Sequence, residues 1–207
     1  MNCHRNIIAF VERLPVDSWF ATRQLLEFGS REAVDQSLYR LVKCGFLLRI
    51  ARGVFTLRDD QPKVFEPLAV AAFKARVFNK SIAVQGLDIA RKLGLASLAS
   101  VEPTFCVHGV SSSFESIATK ICLKNFSARK IVLGDSPLGQ VIRALWFLGK
   151  DRCDVHAVQR AMRMLNDDEI QKLTTSAQLM PGWLTKIVRF ANGWQPEIAY
   201  SLRNSNS

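Results

Sequence analysis

Several absences narrow the field before any motif is read. No apolar run approaches the ~18 residues of a membrane-spanning helix, and the run at 68–73 stops at Lys74 and Arg76. The start, Met1-Asn2-Cys3-His4-Arg5, leads into a short mixed helix with no apolar h-region and no small-residue cleavage site, so no leader is expected. Five cysteines, an odd number scattered at Cys3, Cys44, Cys106, Cys122 and Cys153, form neither a disulfide framework nor a CxxC pair. Acidic residues are scarce: 18 Asp and Glu stand against 28 Lys and Arg, a net charge of +10. That excess suits a partner with fixed negative charge, most simply nucleic acid. The rest is ordinary, since 48% hydrophobic and 22% charged residues describe a packed chain and exclude a disordered one. The expectation is a cytoplasmic protein of a reducing compartment that does not engage a membrane.

Catalytic signatures are missing too. There is no nucleophile elbow, no paired-His zinc signature and no dinucleotide fingerprint. Gly134-Asp-Ser-Pro-Leu-Gly139 has the glycine spacing of a phosphate loop, but Gln140 and Val141 replace the Lys and Ser/Thr that would hold phosphate and Mg²⁺. It reads as a loop into a Pro-started helix. Cys106 and His108 alternate on one strand face, but two ligands without a third make them core residues, not a metal site. His4 and His156 have no identifiable partner. Asp167, Asp168 and Glu169 sit where a helix start favours negative charge. Trp146, Trp183 and Trp194 stand in helical contexts that favour core packing. No cofactor and no metal are expected, and the chain reads as a binding protein, not an enzyme.

At 207 residues the chain is long enough for one or two domains. Asp59-Asp60-Gln61-Pro62 is polar and ends in a proline that disfavours helix before it, so a boundary is expected there, with domains at 1–60 and 61–207. A weaker break at 149–151 divides the second domain into an α+β middle, to about 150, and a helical tail that ends in the short polar segment 204–207. Residues 1–60 hold nine Lys and Arg against seven Asp and Glu; 61–150 hold twelve against five; 151–207 hold seven against six. The middle is thus the most basic stretch. From 61 onward, helices are expected at 67–77, 87–93, 137–148, 155–165, 167–177 and 181–191. Strands are expected at 104–108, 117–123 and 130–133, with a serine turn at 111–113.

The first sixty residues are the most legible. Ile7, Ile8, Phe10, Val11 and Leu14 form a helical stripe that Pro15 ends. Thr22 can cap a short helix stopped at Gly29, and Ser30 caps a longer one running to Cys44-Gly45. Two β-rich runs around Ala51-Arg52-Gly53 then make a hairpin. Helix, short helix, glycine turn, capped helix and hairpin describe a winged helix-turn-helix. With Val34, Leu38 and Leu41 facing the core, Glu32, Gln36, Tyr39, Arg40 and Lys43 lie opposite at ~100° per residue. Gln36 and Arg40 are of the types that pair bidentately with adenine and guanine. Ser30 and Arg31 could hold a phosphate at the helix N-terminus, and Arg49 and Arg52 flank the wing turn. Glu32 and Asp35 would repel phosphate.

These residues resemble a known family. Ser30-Arg-Glu-Ala-Val-Asp-Gln-Ser-Leu-Tyr-Arg-Leu-Val-Lys-Cys-Gly45, followed by Leu48-Arg-Ile-Ala-Arg-Gly-Val-Phe55, is similar to the front of the AbiEi-like type IV antitoxin regulators. The likeness continues through Gln85-Gly86-Leu87 to Leu95, Ala144-Leu145-Trp146-Phe147-Leu148-Gly149-Lys150 and Met180-Pro181-Gly182-Trp183, and covers roughly residues 5–195. Gln85 stands where the family more often has a small hydroxyl residue. The resemblance implies an α+β chain whose winged helix binds double-stranded DNA repeats in its own promoter. It also implies that the second domain is an antitoxin domain, which counters a toxin resembling a nucleotidyltransferase, as in abortive infection systems, without a stable complex. The alternative is a nucleic-acid-processing enzyme or its accessory subunit. Against it, the carboxylates of 61–150 (Glu66, Asp88, Glu102, Glu115, Asp135) are too far apart in sequence for a metal pair.

Overall fold

The computed structural model describes residues 2–59, 63–98, 100 and 102–193. Asp60, Gln61 and Pro62 of the expected boundary, Trp194 and the polar tail at 204–207 lie outside them. The chain is mixed α+β, about half helical, with two small sheets. Among the described residues no helix is long and apolar enough to cross a membrane.

Helix α1 (Cys3–Glu12) is capped by Asn2 and buries Ile7 and Val11. A short strand β1 (Trp19–Ala21) leads into a 3-10 turn (Thr22–Phe28), where the Gln24 side chain accepts a hydrogen bond from the Ala21 amide at 2.8 Å. Helix α2 (Arg31–Lys43) follows, and then the hairpin β2 (Leu47–Ala51) and β3 (Val54–Leu57). Gly45, at φ +79°, ends α2 in the left-handed region that favours glycine; the Phe46 amide then reaches back to the Leu41 carbonyl at 3.0 Å. The first sheet is antiparallel in the order β1-β3-β2.

Successive residues of the hairpin face opposite sides, and both sides are buried. Leu47 and Phe55 join Ile7, Phe20, Val34 and Leu38 in one core. Ile50, Ala51 and Val54 join a second, made with helix α3 (Pro67–Val77) and with strands β5 (Thr104–Val107), β6 (Ser112–Glu115) and β7 (Lys120–Asn125). In that second sheet, ordered β4-β5-β7-β6 with β4 at Ile82–Val84, β5 runs parallel and β6 antiparallel to β7. The chain divides into two compact units, Met1–Ile82 with Glu102–Asn125, and Ala83–Val101 with Phe126–Ser207. This division differs from the expected 1–60 and 61–207, because the far side of the hairpin is covered by residues from 65–82 and 105–123.

The second unit is helical: α4 (Gly86–Lys92), α5 (Ala128–Ile131), α6 (Pro137–Leu148), α7 (Val155–Met162), α8 (Asp167–Thr175) and α9 (Gly182–Gly193). Its core gathers Ile89, Val141, Leu145, Val158, Leu173 and Leu184. Gly86 lets α4 approach α6 closely, since a Cβ there would lie 2.2 Å from the Arg143 carbonyl oxygen. Arg143 is buried; its guanidinium donates to the Val84 carbonyl at 2.8 Å and the Gly134 carbonyl at 2.5 Å, and pairs with Asp135 at 2.6 Å. Asn166 and Glu169 form a capping box that starts α8, as its acidic first turn suggests.

Four expectations are corrected. The strand expected at 130–133 is the short helix α5: Ala128, Arg129 and Lys130 are good helix formers, and Ile131 is buried from a helix. Of the serine turn expected at 111–113, Ser112 and Ser113 instead start β6, with Ser113 opposite Cys122. The strand expected at 117–123 begins only at Lys120, because Ser116 and Thr119 close a turn through the Ser116 amide and Thr119 carbonyl at 3.0 Å. Cys106 is buried in β5, but His108 lies past the strand end and is exposed, so it is not a core residue.

Candidate nucleic-acid interface

Helix α2 owes its start to Ser30, whose hydroxyl accepts from the Ala33 amide at 3.3 Å. Val34, Leu38 and Leu41 are buried on one side, and Ser37 satisfies its own hydroxyl by donating to the Ala33 carbonyl at 2.8 Å. Glu32, Asp35, Gln36, Tyr39, Arg40 and Lys43 are exposed on the other. Arg31 is engaged by Asp35 at 2.8 Å one turn along, with both side chains more than half exposed. Such a pair holds Arg31 only weakly. The Glu32 carboxyl is held below its usual range, first by its own backbone amide and then by Ser30. A formal negative charge therefore stays at the helix start.

The hairpin carries Arg49 and Arg52, both exposed, with Arg52-Gly53 as the turn. Register shifts between Arg49 and Ala51, a bulge that frees the Ile50 carbonyl to accept the Ile117 amide at 2.7 Å. The turn is pinned a second time where the Thr22 amide donates to the Gly53 carbonyl at 3.1 Å. Helix α3 adds Lys74, whose ammonium donates to the Arg52 carbonyl at 3.3 Å and lies 3.8 Å from the Phe114 ring centre. Arg23 donates to the Val77 carbonyl at 3.2 Å.

These elements enclose a cavity of about 600 Å³ in the first unit. Of the residues singled out from the sequence, Arg31, Tyr39, Arg49 and Arg52 line it together. Ser30, Gln36, Arg40 and Lys43 do not, and stay on the exposed surface of α2. Two further cations on the cavity wall, Arg23 and Lys74, escape a reading by segments. Lys74 lies in α3 one turn after the buried Val70 and Ala71, and only the packing of α3 on the hairpin brings it beside Arg52. Among the described residues Arg40, Lys43, Arg49 and Arg52 have no carboxylate within ion-pair distance. Likewise, no three His, Cys, Asp or Glu among them come together in a group that could hold a metal.

The fold and this surface define the class: a mixed α+β protein whose first unit presents a capped helix with an exposed side of mixed charge and a hairpin with Arg49 and Arg52 exposed. The chain belongs to the DUF6088 family, a family of unknown function whose model matches residues 6–173. No curated protein matches it. Among solved structures it is similar to the crystal structure of the RV2827C protein from Mycobacterium tuberculosis, at 13% identity over 89% of this chain and 80% of that one, with a TM-score of 0.39.

Proposed function

We propose that this protein is a DNA-binding transcriptional autoregulator whose first unit carries a winged helix-turn-helix, with α2 as the reading helix and β2-β3 as the wing. The observation that carries the reading is the side of α2 opposite Val34, Leu38 and Leu41. It holds Gln36, Arg40 and Lys43 exposed together with Glu32 and Asp35, with no carboxylate within ion-pair distance of Arg40 or Lys43 among the described residues, beside a hairpin carrying Arg49 and Arg52. Gln36 and Arg40 read base edges in a major groove, Lys43 and Arg49 meet phosphates, and Arg52 lies at the wing tip. The partner is double-stranded DNA upstream of the protein's own gene.

A gel shift of the full chain on that upstream DNA tests it. Arg40→Ala should cost about 1–3 kcal/mol on the preferred site and relax preference at one base pair. Arg52→Ala should weaken all sequences about equally and reduce the salt slope by about one. If both variants bind like the wild type, the reading head and wing are misassigned.

The resemblance to AbiEi-like regulators supports a second role, as the antitoxin of a type IV system facing a toxin that resembles a nucleotidyltransferase. Its stretches at 85–95 and 144–150 overlap α4 and α6, both in the second unit. The toxin encoded beside this gene would be expressed from an unrelated promoter, together with the full chain carrying Arg40→Ala and Arg52→Ala. Growth should be rescued as well as by the wild type. Loss of rescue would mean that protection comes through DNA binding and not through the second unit.

A further inference from the structure

The walls of the cavity beside α2 divide by chemistry. Apolar Leu26, Val42, Val54, Phe55, Val77 and Phe78 line it. So do Arg23, Arg49, Arg52 and Lys74, and the carboxylate on the wall, Asp35, is already paired with Arg31. The cations of this wall gather without a counter-charge: among the described residues no carboxylate lies within ion-pair distance of Arg49, Arg52 or Lys74. The Lys74 ammonium is also held below its usual pKa, by burial first and then by Arg52 and Arg49. Like charges gathered without a counter-ion cost stability, and a bound anion would relieve that cost.

The DNA backbone explains exposed cations but needs no apolar bed. Leu26, Tyr39 and Phe78 are 39%, 66% and 54% exposed, and all three line this cavity. A volume of about 600 Å³ falls within the range of small-molecule sites, which are concave and mostly apolar with a few convergent polar groups.

We propose that this cavity binds a small amphipathic anion, an aromatic or branched aliphatic body carrying one carboxylate, sulfonate or phosphate. The body lies against Leu26, Val54 and Phe78, and the head group is held by Arg49, Arg52 and Lys74. Because Arg49 and Arg52 are also assigned to DNA, a bound anion withdraws them and weakens DNA binding. That consequence rests on the DNA-binding reading; the site itself does not.

The test uses the full chain and three probes: 8-anilinonaphthalene-1-sulfonate, its neutral analogue N-phenyl-1-naphthylamine, and inorganic phosphate. The sulfonate should bind saturably, one per chain, at least roughly tenfold tighter than the neutral amine, the effect of about one charge-assisted contact. Inorganic phosphate at equal concentration should not displace it. The double variant Arg52→Gln/Lys74→Gln should bind the sulfonate roughly tenfold more weakly or worse, while Lys150→Gln in the second unit leaves binding unchanged. Should the double variant fail to fold, raising salt from 50 to 500 mM reads the same charge requirement on the wild type, with a several-fold weakening expected. The proposal is overturned by equal affinity for sulfonate and amine, by an unchanged affinity in the folded double variant, or by a salt-independent affinity. Saturating sulfonate should also release the upstream DNA. Sulfonate bound as expected with the DNA still held would overturn the competition and leave the site standing. A chain that binds the sulfonate but no DNA would overturn only the DNA-binding reading.

Discussion

The first unit, 1–82 with 102–125, holds 15 Lys and Arg against 10 Asp and Glu; the second, 83–101 with 126–207, holds 13 against 8. Each therefore carries +5, and the +7 counted along 61–150 is divided between them when the chain folds. Both units expose cations with no ion-pair carboxylate among the described residues, Arg91, Lys92, Lys150 and Arg163 among those of the second; what differs is that the second unit buries one. In the second unit Arg143 is buried on two carbonyls and Asp135, Arg129 and Lys130 lie 4.8 and 4.4 Å from the Trp146 ring centre, and Arg160 donates to the Gly94 carbonyl at 3.2 Å. In the first, Arg40, Lys43, Arg49 and Arg52 stay exposed with no carboxylate within ion-pair distance among the described residues. Net charge along the sequence therefore says little about where an interface lies; the fold decides which cations are already occupied.

Arg143 is where this contrast is most easily broken. Arg143→Met keeps the length of the side chain but leaves the Val84 and Gly134 carbonyls without this donor, and Asp135 without its counter-charge and with the Val84 amide still donating to it. Removing one partner of a buried ion pair costs about 3–5 kcal/mol. Urea denaturation of the full chain should show that loss, and hydrogen exchange should place it in α4 and α6. DNA affinity of the folded protein should be unchanged. A loss below about 1 kcal/mol would mean that this buried cation is not a structural element and that the contrast is false.

The next effect concerns the hairpin. Ile50 is fully buried in the core that the hairpin shares with α3 and β5–β7. Ile50→Ala should cost about 2–4 kcal/mol, as buried aliphatic truncations do. A hairpin projecting freely as a wing would lose far less, so thermal denaturation of the full chain distinguishes a pinned hairpin from a loose one.

That pinning also marks the limit of what the sequence discloses. Elements bounded by strong punctuation were legible: α3 and α6 begin at Pro67 and Pro137 and end where expected, and Ser30 and Gly45 bracket α2. The three-residue strands β1 and β4 were not, because nothing local requires them. Trp19 is a strand residue only by virtue of Thr56, 37 positions away. The polar break at 59–62 suggested a domain boundary, yet Ile50, Ala51 and Val54 beside Leu47 and Phe55 make the hairpin apolar on both sides, a pattern that calls for cover on both. The candidate site divides the same way. Arg49 and Arg52 were readable from the turn they flank, whereas Arg23 and Lys74 reach the cavity through tertiary packing alone.

The smallest expected effect separates local charge from net charge on α2 itself. Glu32 stands in the first turn, where its carboxylate suits the helix N-terminus but faces any phosphate placed there. Its carboxyl is held below the usual range by its own amide and Ser30. The folded-state pKa is depressed, so the stabilising contribution is present above the unfolded-state value and is lost only as pH falls through the lower folded-state value. From pH 7 down to about 5 the group stays ionised, and acidification over that window should leave its repulsion of DNA intact. Glu32→Gln removes the charge at every pH. It should tighten binding to the upstream DNA roughly two- to fivefold at low salt, the scale of one exposed charge contact, and the gain should shrink as salt rises. Gel shifts at pH 7 and pH 5, each at two salt concentrations, measure both effects. Unchanged affinity in the Gln variant would place the phosphates away from the start of α2 and leave Lys43 and Arg49 as the phosphate contacts.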